Sequence, residues 1–554
     1  MLRRPFPPFG LATLFVLAAC CGRQQSPTAP AAARSASANT SVTLASLPHV
    51  TLVALSDWQG VIKPCGCTIE LQRGGIERIA RHLKVLRASD PSTVVLHAGS
   101  LLTEDELPEA HLRQQRDLRV SAFAEMLERL DVAAVALSSH DLKRGGAAVR
   151  RAYDGARWPV LAAGWGGEIG RARPARVFST ASGVKVGITA VDPSSAADPA
   201  GRNGVVSAQI AAMRKQGAQI VVVLSNLGMR GSRKLARKVP GIDVIVIGDV
   251  PERSETVERL ERDGPDERTL LMRTPRHGAW LAELTLARNG DGSWREVSDL
   301  QPGAVAELSA KVAAQEAEID RFRKGGGGVS VGRALPIFEQ RLQQTRQRLD
   351  RARAAHDKPL PTGRLAAYRS VGLPWSLTPD ADMAALVIAH DKTVGDINVK
   401  AAAKPLPATK GQASYVGHAT CMGCHAPTAG FVAKDPHYRA WATLVDAGKD
   451  RDLDCVPCHT TGFRKPGGSA FDNLQTFVNV QCEACHGPGS KHVAAGGEGG
   501  VPRVPAASMC EVCHTQEHSP RFEFDAYRQR LRVPGHGKDP APTSSARQPN
   551  PATP

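Results

Sequence analysis

At 554 residues the chain is too long for one ordinary core, so two or three domains are expected. An apolar fraction of 42% is enough for globular structure, although aromatics are sparse at 5%. The net charge of +16 admits an anionic partner, but acidic and basic residues balance between 411 and 540; an arginine-rich soluble surface accounts for the upstream surplus, and no nucleic-acid partner is expected.

Residues 1–20 read as an export signal, with Arg3 and Arg4 at its start, an apolar run from Phe9 to Ala19, and LAAC ending at Cys20. That run is too short to remain as a spanning helix. The small-residue pair before the cysteine resembles the lipobox of bacterial lipoproteins, which implies lipidation at Cys20; an ordinary cleaved signal is the alternative. Residues 21–47, rich in Ala, Ser, Thr and Pro, read as a flexible tether. No later stretch is apolar enough to cross a bilayer. The expected location is the periplasm or cell envelope, with a lipid anchor in a membrane.

From 48 to 300, apolar runs alternate with amphipathic stretches, the pattern of an α/β layered domain. Strands are expected at VTLVALS, TVVLHAG, AAVALSS, VKVGITA, QIVVVLS and DVIVIGD, and a helix at GGIERIARHLKVLR. In such folds functional residues sit on the loops after strand ends. Taken in order, those ends resemble the calcineurin-like metallophosphoesterases of the 5′-nucleotidase type. That family's first Asp persists as Asp57, but its His partner is Gln59. Ser100 stands in for the bridging Asp and Ser139 for the Asn ligand, while the general-acid His persists as His140, followed by Asp141. Asn226 replaces a lone His, and Asp249 and Pro251 stand where the final His pair belongs. Two divalent ions need a bridging carboxylate and enough anionic or imidazole ligands to offset their charge. The expectation is therefore a phosphoesterase-like domain without its binuclear centre. The alternative is a metal-dependent phosphohydrolase or nucleotidase with atypical ligands, in which Asp57 and His140 are catalytic. Cys65 and Cys67 leave three readings open: structural residues of a turn, a strained redox pair, or partners of Asp57 and His140 around one divalent metal.

Residues 301–400 read as a helical connector. AVAELSAKVAAQEAEIDRF and ALPIFEQRLQQTRQRLDRARAAH carry helical periodicity on either side of KGGGG, and an antiparallel hairpin is the simplest arrangement.

Over 401–540, eight of the twelve cysteines fall into four copies of one pattern. They are CMGCH at 421–425, CVPCH at 455–459, CEACH at 482–486 and CEVCH at 510–514. Two thiols spaced Cys-x-x-Cys can form thioethers with two haem vinyl groups, and the following His is placed to ligate the iron. Structural zinc also uses paired cysteines, but has no need of a His directly after every pair. The attachment residues are then Cys421, Cys424, Cys455, Cys458, Cys482, Cys485, Cys510 and Cys513, and the proximal ligands His425, His459, His486 and His514. Successive motifs start 34, 27 and 28 residues apart, too close for each macrocycle to have a private core. The haems must pack on one another within a wrapping chain of little regular structure. His418, His437, His492, His518 and His536 are candidates for the sixth ligands.

YVGHATCMGCH, DPHYRAW, DCVPCHTTGF, VQCEACHGPGSKH and CEVCHTQEHSP resemble the tetrahaem cytochromes c typified by the electron acceptor of hydroxylamine oxidoreductase. The resemblance implies three bis-histidine haems and one five-coordinate haem. It carries distal ligation to His437, His492 and His536; His418 and His518 have no counterpart, and either closes the open haem or lies on the surface. Residues 541–554 read as a disordered tail.

The fold class expected is multidomain: an α/β layered metallophosphoesterase-like domain, a helical connector, then a mostly irregular or α multihaem cytochrome c domain. The function expected is electron transfer between a redox protein donor and acceptor through four covalently bound c-type haems, with the upstream domain docking a partner or positioning the haems. The alternative is reduction of a small nitrogen compound at a five-coordinate haem.

Overall fold

The computed structural model describes residues 43–531, apart from 65–72, 105–108, 167–168, 249–253, 262–267, 325–328, 356–357, 516–518 and 520–521. Cys20, Cys65, Cys67, Asp249, Pro251, His518 and His536 lie outside the described residues, as do the expected leader, the expected tether up to residue 42, and the tail. The last residues of that tether are not loose, since Leu44 is buried against Ala287 and Val297.

Two sheets form the upstream part. The first runs β12 (Trp294–Glu296), β13 (Gly363–Gly372), β11 (Trp280–Asn289), β1 (His49–Ser56), β2 (Thr93–Ala98), β3 (Ala134–Ala136), β4 (Val160–Leu161). The second runs β5 (Ala175–Ser179), β6 (Lys185–Val191), β7 (Ile220–Ser225), β8 (Val244–Ile247), β10 (Arg268–Arg273), β9 (Glu258–Glu261). β1 lies parallel to β2, with Leu52 opposite Val94, and antiparallel to β11, with Val53 opposite Glu283.

Successive side chains on a strand point to opposite faces, so the even and odd residues of β1 serve two interiors. Val50, Leu52 and Ala54 enter the core between the sheets, together with Val186, Ile188, Val222 and Leu224. Val53 and Leu55 face the other way, against Ile76, Ile79 and Leu83 of α1 (Ile76–Ser89) and Phe123 and Leu127 of α2 (Arg113–Arg129). α3 (Ser139–Arg144) and α4 (Gly146–Gly155) complete that side. On the far side of the second sheet, Val221, Val223 and Ile245 pack with Val206 and Met213 of α5 (Pro199–Lys215) and Leu235 of α6 (Gly228–Lys238). The result is a four-layer α/β/β/α sandwich. A strand buried on both faces reads as an unbroken apolar run, which is why HVTLVALS shows no alternation.

The connector departs from the helical expectation. α7 (Ala304–Lys324) and α8 (Val329–Ala355) do form the hairpin. Arg323 pairs with Glu339 and Arg346 with Glu316, so later residues of one helix meet earlier residues of the other and the pair is antiparallel. Residues 363–372, however, are strand β13, paired with β11 from Trp280–Gly372 to Asn289–Gly363. Leu365, Ala366 and Tyr368 are buried there, and burial against β11 outweighs the helical tendency on either side. α9 (Ala381–Ala401) then lies on the upstream part, with Met383 and Val387 in the core of α1 and α2. The connector thus completes the upstream fold.

From 402 onward the helices have seven residues or fewer, and β pairing is confined to isolated bridges such as Thr460–Val478. The apolar core there is small, built on Leu444, Leu453, Val456, Phe463 and Leu474. No helix among the described residues is long and apolar enough to cross a membrane.

Candidate functional site

One cavity of about 3070 Å³ opens into the irregular region. All eight motif cysteines line it, and His425, His459, His486 and His514 share its wall with His437 and His492. Small-molecule pockets span roughly 300–1,000 Å³, so this space suits several large ligands rather than one.

The histidines are held in a consistent way. Nδ1 of His437 donates to Asp435 at 2.9 Å, that of His459 to the Ala440 carbonyl at 2.6 Å, that of His486 to the Pro502 carbonyl at 2.7 Å, and that of His492 to the Gly499 carbonyl at 2.7 Å. Nδ1 of His514 lies 3.0 Å from Ser519 Oγ. A proton fixed on Nδ1 makes Nε2 the lone-pair nitrogen, the arrangement found in metal-ligating histidines. Burial pushes the Asp435 carboxyl up, but the His437 bonds outweigh it and leave its pKa lowered.

Two pairs of rings face one another. His425 and His492 have centroids 6.3 Å apart and planes 17° from parallel; His437 and His514 are 6.1 Å apart at 86°. Two imidazole–metal bonds of about 2 Å each, plus the offset of each nitrogen from its ring centre, fill such a gap. The cavity, the cysteine lining and these separations fit haem iron between the rings. The sequence singles out His437 and His492 but not which motif histidine each faces. His418 Nδ1 lies 3.2 Å from the Tyr438 hydroxyl, and His418 is not among the residues that line the cavity.

The motif segments are also fastened by their neighbours. Glu483, inside the third motif and 3% exposed, accepts from the backbone N–H of Val416, Gly417 and Gly489. The residues just ahead of the second motif are held by the upstream part. Gln115 of α2 donates to Asp452 at 2.7 Å and Asp454 at 2.9 Å, and accepts from the Leu453 N–H and from Asn398 of α9. Arg116 and Arg119 pair with Asp454. Burial raises the Asp452 carboxyl, but Lys449 and Arg119 outweigh it and hold its pKa well below the usual range. These contacts carry no motif signature.

At the strand ends of the upstream part, Asp57 is buried and accepts from the Ser100 N–H at 2.9 Å. Gln59, in place of the family's His, accepts from Nε2 of His277 at 3.0 Å. Asp57, Gln59 and His277 have φ of 44°, 55° and 66°, left-handed conformations that non-glycine residues adopt at a cost. Asp141 is fully buried and accepts from the N–H groups of Leu101, Leu102 and Thr103 and from the Thr103 and Tyr153 hydroxyls. Asn226 accepts from Gly99 N–H at 2.7 Å and donates to the Leu137 carbonyl and Asp192. The Ser139 N–H also donates to Asp192, and His140 Nε2 lies 3.2 Å from the Glu104 carbonyl. Among the described residues, no group of three or more His, Cys, Asp or Glu converges as a metal site here.

Residues 420–487 match the family described as cytochrome c554 and c-prime. Cytochrome c-554 of Nitrosomonas europaea is 32% identical over 93 residues, covering 14% of this chain and 40% of that protein. In fold, a 5′-nucleotidase precursor of Thermus thermophilus aligns over 72% of this chain and 68% of its own, at 15% identity and a TM-score of 0.41. The NAD nucleotidase of Haemophilus influenzae aligns over 43% and 47%, at 18% identity and a TM-score of 0.36. The C-terminal region is thus similar to cytochrome c-554, of which this chain spans less than half the length.

Proposed function

We propose that the chain is a periplasmic four-haem electron-transfer protein whose phosphoesterase-like part is a scaffold for the haems rather than a hydrolase. The observation that carries this reading is the single cavity lined by the cysteines and histidines of all four motifs. Bound haem iron supplies one-electron exchange. The chain's own residues attach it, orient the imidazoles through Nδ1, and exclude much of the water around it. The proximal ligands are His425, His459, His486 and His514, and His437, His492 and His536 are distal ligands.

The scaffold role draws on the hydrogen bonds of the cleft. Asp141 spends its carboxylate on backbone donors, and Asn226 and Gln59 spend their amides on neighbours. Groups committed in this way hold the strand ends together and are poorly disposed to offset the charge of two divalent ions. The Gln115 cluster, by contrast, grips the segment entering the second haem motif. The leader-like residues 1–20 support export, with lipid at Cys20 as the membrane attachment and protein redox partners as donor and acceptor.

Coulometric titration of the haem-loaded protein tests this reading. Uptake of four electrons per chain is expected, with no phosphomonoesterase turnover across Mg²⁺, Mn²⁺ and Zn²⁺. Fewer electrons, or metal-dependent turnover lost in His140→Ala, would overturn it.

A further inference from the structure

The haem cavity has a histidine on its wall that no motif accounts for. His390 stands on α9, where Val387, Asp391 and Val394 line the same space. Its ring is half-buried and makes no hydrogen bond among the described residues. The other lining histidine from the upstream part, His277, is engaged with Gln59.

The charged groups near His390 include those of the segment that leads into the second motif. They are Asp391, Lys449, Arg119 and Asp452. Those around Cys455, the first cysteine of the second motif, are Asp452, Lys449, Asp454 and Arg119. Cys485 of the third motif instead has Asp435 nearby. His390 and Cys455 therefore share one setting.

The supply of ligands points the same way. His425 and His514 face His492 and His437. That leaves His459 and His486 with one carried-over candidate between them, His536. Burial, with Lys449 and Arg119 nearby, lowers the pKa of His390 to about 4 and keeps the imidazole neutral. A neutral imidazole is the ligating form.

We propose that His390 is an axial ligand of the haem iron at the Cys455–Cys458–His459 site, donated by α9 from outside the cytochrome-like region. The proposal rests on haem being attached at that motif. It makes this site six-coordinate where the family resemblance leaves one haem open, and it ties the spin state of that haem to the seating of α9.

The test uses the full-length, haem-loaded protein. Ferric EPR and carbon monoxide binding after reduction are recorded for the wild type, His390→Gln and His390→Met. The wild type is expected to show no high-spin haem and no carbon monoxide uptake. His390→Gln is expected to convert one haem in four to high spin, to bind one carbon monoxide per chain, and to revert with added imidazole. His390→Met, which substitutes a thioether, is expected to stay low-spin with one potential raised. Three outcomes overturn the proposal: one high-spin haem already present in the wild type, an unchanged spin state in His390→Gln, or unchanged potentials in His390→Met. A pyridine haemochrome count on the same samples separates the two readings. Fewer than four haems per chain overturns the four-haem reading, whereas four haems with unaltered spin states overturns the role of His390 alone.

Discussion

The rings of His425 and His492 lie 17° from parallel, whereas those of His437 and His514, at nearly the same separation, cross at 86°. Parallel imidazole planes lift the degeneracy of the iron π-type orbitals, and crossed planes leave them nearly equal. The ferric protein is therefore expected to give one rhombic and one strongly anisotropic low-spin EPR signal from these two sites. His492→Ala should remove the first and His437→Ala the second, each with gain of one high-spin haem. Loss of the same signal in both variants would contradict the pairing.

Asp435 bonds the Nδ1–H of His437 at 2.9 Å, which orients the ring and raises its basicity toward iron. A more basic ligand favours the ferric state. Asp435→Asn should raise the potential of one haem by roughly 30–60 mV, the one-electron equivalent of a three- to tenfold change. Spectroelectrochemistry that finds every potential unmoved would remove Asp435 from this role.

Gln115 is buried and serves Asp452, Asp454, the Leu453 N–H and Asn398 at once. Truncation leaves several buried polar groups unsatisfied, at about 1–3 kcal/mol for such a loss. Gln115→Ala should destabilise the holoprotein by that order in urea, and Gln115→Glu by more, since it sets a third carboxylate beside two. Equal stability of Gln115→Glu and the wild type would contradict the network.

His97 is fully buried on β2, neither ring nitrogen has a hydrogen-bond partner among the described residues, and burial lowers its pKa to about 3. Below its ordinary value of 6.5 the unfolded chain takes up a proton that the folded chain refuses. Its neutral state costs no stability above that pH, and stability falls as the pH drops from 6.5 toward 3, by on the order of 1.4 kcal/mol per unit. His97→Phe keeps an aromatic ring beside Trp58 and removes this proton. Its Tm should gain on the wild type as pH falls from about 7 to about 5; parallel curves would contradict the assignment.

Much of this architecture is legible in sequence where one local pattern decides the outcome. β1 announces itself because both of its faces are buried, and each Cys-x-x-Cys-His unit carries its chemistry within five residues. β13 does not, because LAAYRSVG becomes a strand only by pairing with β11. The facing histidine pairs are equally hidden: His425 and His492 belong to different segments, and only the folded chain brings them face to face. Asn226 reads as a lost ligand, yet its amide ties Gly99 to Leu137 and Asp192. His390 lies in a helix without any motif, so its place beside the second attachment site emerges only from packing.

The central claim is tested most directly by counting covalent haem in the full-length protein, through a pyridine haemochrome assay paired with intact mass. The account predicts four haems per chain, retained under denaturing conditions, with loss of one in each of Cys424→Ala, Cys458→Ala, Cys485→Ala and Cys513→Ala. A chain that carries zinc or disulfides at these motifs in place of haem would contradict it.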